Sequence, residues 1–207
     1  MSLAIARLAS DEELAARQSV LREEASALLT ELDRSRLFTE LGPLIVTGSY
    51  VSELMCWREV DVMAVVGADF SPQDAMQLMS RILRFPGVIG FTFRDERAER
   101  SPTGEVRDER YHIPLLIDRA DGIWCLDLSL WLHDPHQNVT AWHEWLRNSI
   151  TDEQRAAVLK IKDVWYRRPS YPDQIGGLDI YTAVLEDGIR TPEQFRSWLA
   201  ERGMPDA

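Results

Sequence analysis

A chain of 207 residues with 45% hydrophobic and 28% charged side chains carries enough apolar material for one packed core, yet no apolar run reaches the ~20 residues that a membrane span needs. The net charge of -11 and pI of about 4.8 argue against gripping nucleic acid through clustered positive charge, which makes a nucleic-acid partner unlikely and favours a small-molecule or protein acceptor. Cys56 and Cys125 lack any CxxC or Cys/His pairing, and the N-terminus lacks a basic-then-apolar leader, so neither disulfides nor zinc are expected and a cytoplasmic location is.

Residues 10–37 repeat Leu14, Val20, Leu21, Ala25, Leu28, Leu29 and Leu32 at helical spacing behind Ser10 and the acids Asp11 to Glu13, which predicts a capped amphipathic helix that packs on the sheet or on a partner. Gly42-Pro43 breaks the chain ahead of the stretch 44–66. That stretch reads as a short apolar strand, the turn Gly48-Ser49, a loop and a second strand. On the second strand Glu59, Asp61, Met63 and Val65 point one way, and Val60, Val62, Ala64 and Val66 the other. Two carboxylates two residues apart on one face lie about 6.5 to 7 Å apart at their Cα atoms, an arrangement suited to a metal ion beside phosphates.

Ser71 caps a predicted helix through residue 84, and a strand follows at 88–93. Residues 94–110 are densely charged and read as a solvated hairpin tip or loop, whose arginines can alternatively close over a nucleotide or acidic acceptor. Strands are predicted at 111–118 and 123–132 around the turn Asp121-Gly122. The second of these has one wholly apolar face, Trp124, Leu126, Leu128, Leu130 and Leu132, and carries the lone carboxylate Asp127 on the other. An acid there needs a metal, a cation or an open cleft. His133 and His136 flank a Pro turn, with His143 beyond, and read as a polar turn rather than a metal site. Helices follow, one through residue 167 behind Thr151 and Gln154, one at 178–185 and one behind Thr191-Pro192 with Gly203 after its end. Lys160 and Lys162 are the only lysines.

Gly48-Ser49, then nine residues, then Glu59-Val-Asp61-Val, then Asp127 on a later strand resembles the nucleotidyltransferase superfamily that includes DNA polymerase β and the antibiotic adenylyltransferases. The resemblance implies an α+β fold, a small mixed antiparallel sheet with flanking helices over 1–139, followed by a C-terminal helical region over 140–207 packed on it. It implies that Glu59, Asp61 and Asp127 bind Mg2+ or Mn2+ and act in catalysis, with Asp127 the third metal ligand or the base. Gly48 and Ser49 would hold the triphosphate of an NTP donor, assisted by Lys160 or Lys162. Two metal ions about 3.5 to 4 Å apart would neutralise the phosphates and activate an acceptor hydroxyl.

Glu59 stands where the family more often has Asp, and the loop 50–57 is unusually apolar for a phosphate loop, so it either covers the nucleotide or fills the site. Two functions are compatible with these residues. One is transfer of a nucleoside monophosphate to a hydroxyl of a small molecule or protein. The alternative is an inactive module of the same fold, a nucleotide sensor or an antitoxin-like partner protein, alone or as a homodimer.

Overall fold

The computed structural model describes residues 9–133 and 139–204. The elements in chain order are α1 (Asp11–Ser35), β1 (Ile45–Val46), α2 (Gly48–Ser52), β2 (Glu59–Val65), α3 (Pro72–Ile82), β3 (Val88–Phe91), β4 (Arg94–Glu96), β5 (Arg110–Arg119), β6 (Gly122–Trp131), α4 (Val139–Ser149), α5 (Asp152–Trp165), α6 (Gly177–Leu185) and α7 (Pro192–Glu201). The α+β architecture is the one expected. Two compact units emerge, 21–148 and 1–20 with 149–207, so the division falls inside α1 and just before the last residue of α4.

In the first unit the strands form one sheet of order β1-β2-β6-β5-β3, with β4 also on β5. All pairs are antiparallel except β2 with β6, which run parallel with Glu59 opposite Cys125 and Asp61 opposite Asp127. The turn joining β5 to β6 is Ala120-Asp121, and Gly122 already pairs with Arg119 as the first residue of β6. That is one residue earlier than the sequence suggests.

Strand alternation sends Val60, Val62 and Ala64, then Tyr111, Ile113, Leu115 and Ile117, then Trp124, Leu126, Leu128 and Leu130, to a single face where each is at most 1% exposed. Leu21, Ala25, Leu28 and Leu32 of α1 and Ala75, Leu78, Met79 and Ile82 of α3 complete this core. The helix α3 starts where Ser71 and Asp74 cap one another reciprocally, with Pro72 at its first position. The charged stretch after β3 is more ordered than a solvated tip. Arg94 to Glu96 form β4, and two short 3-10 turns follow, held by Thr103 on Asp108 and by the Ala98 amide on Glu109 at 2.8 Å.

The helical unit bears out the caps read from the sequence, with Thr151 and Gln154 opening α5 and Thr191 and Gln194 opening α7. Its interior holds Trp165 against Phe195, ring centroids 4.8 Å apart, and the buried acid Asp163, which is paired with Arg17 and, at 2.8 Å, with Arg167. Among the described residues, no helix is long and apolar enough to cross a membrane.

Candidate active site

The helix α1 fixes both ends of the segment that leads into β2. Arg22 pairs with Glu53 at 3.2 Å, Ser26 bonds the Tyr50 hydroxyl at 3.0 Å, and Glu24 accepts from Arg58 Nε at 3.0 Å. The residues after Gly48 form the short helix α2 rather than a loop, and Leu54, Met55 and Cys56 are buried, Met55 within the core cluster. Part of the apolar character of 50–57 is therefore spent on the hydrophobic core, through Met55 and, at its margin, Tyr50.

Gly48 has φ +65°, and a Cβ placed on it would lie 1.8 Å from Asp61 Oδ2. Glycine meets both demands at once, a left-handed backbone and a close approach to the carboxylate as it stands. The amide of Thr47 donates to the Asp61 carbonyl at 3.0 Å, which carries the β1–β2 ladder to this point. The Thr47 hydroxyl is buried without a hydrogen-bond partner among the described residues, one residue from Gly48.

The sheet face opposite the core gathers the acids. Asp61 and Asp127 are direct register partners on parallel strands, which places their side chains abreast at the ~4.8 Å strand spacing. Glu59 lies one pleat earlier, beside Cys125. Burial, followed by the Glu59, Asp127 and Asp61 carboxylates, pushes the Cys125 thiol well above its ordinary range, so all three acids act on one point of this face.

A histidine that sequence reasoning missed joins them. His112 of β5 donates from Nε2 to Asp127 Oδ1 at 2.5 Å, and its Nδ1 faces Glu96 Oε1 at 3.6 Å, too long for a hydrogen bond. Arg110 donates from Nε to Glu96 Oε2 at 2.6 Å and from a terminal nitrogen to Ser129 Oγ at 3.1 Å, with its guanidinium 5.1 Å from the Trp131 ring. Burial opposes a charged imidazole, but the Asp127 hydrogen bond and the Glu96 carboxylate outweigh it and raise His112 to about 9. For Glu96 burial acts upward, and His112 and Arg110 overcome it, lowering the carboxyl to about 2. A lone histidine on an alternating strand gave no sequence signal, because only the β5–β6 register brings it to the acid.

Other expected participants are engaged elsewhere. Arg97 and Arg100 pair with Asp95, and Arg107 with Asp108, so these arginines of the charged segment answer local acids. Lys160 pairs with Asp11 at 2.7 Å, and Lys162 is buried with its ammonium 5.8 Å from the Tyr181 ring, both in the helical unit. His133 faces Glu109 at 3.6 Å, His143 stands edge-on to Trp142, and His136 lies outside the described residues.

Magnesium takes hard oxygen donors, and the three carboxylates with their shared field fit it in chemistry and strand register. Among the described residues, no three Asp, Glu, His or Cys side chains converge as ligands of a single ion.

No protein-family model matches the chain, and no curated protein matches it. Among solved structures it is similar to a cytoplasmic RNA terminal U-transferase, at 17% identity and a TM-score of 0.50 over 85% of this chain and 49% of that one. It is also similar to the structure of a GLD-2/RNP-8 complex, at 12% identity and a TM-score of 0.52 over 96% of this chain and 74% of that one. The chain has the nucleotidyltransferase fold. At these identities the nucleotidyltransferase likeness establishes architecture alone, and the chain spans about half the length of the terminal U-transferase.

Proposed function

We propose that the chain is a magnesium-dependent nucleotidyltransferase that moves a nucleoside monophosphate from a nucleoside triphosphate to an acceptor hydroxyl. The observation that carries this reading is the register of Asp61 with Asp127 on parallel strands, directly beside a glycine at which an added Cβ would strike the Asp61 carboxylate as it stands. Glu59, Asp61 and Asp127 would hold the metal, which supplies charge neutralisation for the phosphates and a lowered acceptor pKa. Gly48, Ser49 and the Thr47 hydroxyl, unpartnered among the described residues, would meet the triphosphate. Asp127 would orient the attacking hydroxyl or accept its proton.

A small-molecule or protein hydroxyl is the proposed acceptor, supported by the net charge of -11 and by the acids that pair with Arg97, Arg100 and Arg107. The terminal U-transferase is named for RNA, and an RNA 3′ end is the competing acceptor. Transfer to RNA with a steep loss on added salt would replace the proposed acceptor class.

The fold also supports a second reading, a nucleotide sensor or partner-binding module without catalysis. It is favoured by Glu59 in the first acid position. Calorimetric titration with nucleoside triphosphates in the presence of Mg2+, alongside an assay for labelled nucleotide transfer, separates the two. Transfer that is lost in Glu59→Gln and Asp127→Asn supports the enzyme, whereas binding without turnover supports the sensor.

A further inference from the structure

Resting on the magnesium reading above, we propose that His112 is a positioning residue that commits Oδ1 of Asp127 to the imidazole and leaves Oδ2 as the atom available to a divalent cation or an acceptor hydroxyl. His112 stands opposite Ser129, on the same sheet face as Asp127 and one pleat away, and Nε2 reaches Oδ1 at 2.5 Å. Both side chains are largely buried, at 12% and 25% exposure. The imidazole is itself buttressed: Glu96 lies 3.6 Å behind it, and Arg110 holds Glu96 at 2.6 Å while bonding Ser129 at 3.1 Å. The chain Arg110–Glu96–His112–Asp127 thus ties β4, β5 and β6 to one carboxylate.

The choice of residue decides what that tie can do. An arginine on Asp127 would offer a forked pair of donors, occupy both oxygens and shut the acid off from a metal. A histidine nitrogen presents one donor in one direction. It removes the rotational freedom of the carboxylate and still spares an oxygen. This accounts for the charged strand β4, which has no apolar residue of its own and whose Glu96 is the backstop of the histidine.

Mn2+ titration of the full chain, followed by the electron paramagnetic resonance of free Mn2+, tests the proposal with a readout independent of turnover. The variants are His112→Ala, His112→Phe, which keeps an aromatic ring but no donor, and His112→Gln, which restores an N–H donor. Alanine and phenylalanine should weaken Mn2+ binding about 10- to 100-fold, the usual effect of losing a partner behind a metal ligand, and glutamine should recover most of it. Binding in the folded alanine or phenylalanine variant that equals or exceeds that of the wild type, or no recovery with glutamine, overturns the positioning role. Wild-type protein that binds no Mn2+ overturns the metal reading and this one with it, a result distinct from wild-type binding that survives in the His112 variants.

Discussion

The two faces of β2 and β6 are made from alternate residues of the same strands and do opposite things. Val60, Val62 and Ala64 with Trp124, Leu126, Leu128 and Leu130 are sealed in the core, whereas Glu59, Asp61, Cys125, Asp127 and Ser129 line the polar face. One residue of register separates them, so a slip of the β2–β6 pair would bury two or three carboxylates and expose the core. The apolar face is what makes the acidic face possible. Burial along one side holds the strands rigidly enough to keep Asp61 and Asp127 abreast, which electrostatics alone would oppose.

Substitutions on the two faces should therefore separate stability from chemistry. On the acidic face, Asp61→Asn should lower nucleotide transfer about 10³-fold, equivalent to ~4 kcal/mol of barrier, while a urea melt moves by no more than ~1 kcal/mol. Comparable losses in both measurements would mean that Asp61 is a structural acid. On the apolar face, Leu128→Ala should cost about 3 kcal/mol of unfolding free energy and leave the activity of the remaining folded protein within a few-fold of wild type. A large loss of turnover in fully folded Leu128→Ala protein would show that the faces are not separable.

The Glu96 buttress sharpens the comparison through pH. Its carboxyl is depressed from 4.5 to about 2 in the folded chain, so its contribution is complete above pH 4.5 and is lost as the pH falls toward 2. Glu96→Gln should accordingly cost ~2 kcal/mol at pH 6, and the gap to wild type in denaturant melts should close between pH 4.5 and 2. A gap that widens on acidification contradicts the assignment. At the open end of the polar face, Leu116 is 42% exposed on β5 and opposite Cys125. Leu116→Ser should shift stability by no more than about 0.5 kcal/mol, and a loss of several kcal/mol would show that this end is covered.

The periodic parts of the chain were readable in advance. The acids of β2, the lone acid of β6, the helices and the caps at Ser71, Thr151 and Thr191 follow from alternation, helical spacing and local hydrogen bonding. What escaped depended on partners distant in sequence. The strand β4 consists of Arg94, Asp95 and Glu96 and has no apolar signal; it forms because β5 offers an edge and because its acids find Arg97, Arg100 and Arg110. Asp127 calls for a metal, a cation or an open cleft, and the structure supplies His112, a choice fixed by cross-strand register. Within 50–57, Leu54, Met55 and Cys56 are buried, a fate that their apolar character allowed but did not locate. The boundary inside α1 left no trace in the sequence, because α1 is one unbroken helical pattern there and only tertiary packing defines the units.

The measurement that bears most directly on the paired acids is Mg2+-dependent thermal stabilisation by nucleoside triphosphates, since a ligand that binds only the folded chain raises its melting temperature by mass action. Wild-type protein should be stabilised by at least one triphosphate when Mg2+ is present, and Asp61→Asn and Asp127→Asn should lose that shift while keeping their own melting temperatures. Equal stabilisation of all three proteins, or none in any of them, would contradict a metal and nucleotide site built on Asp61 and Asp127.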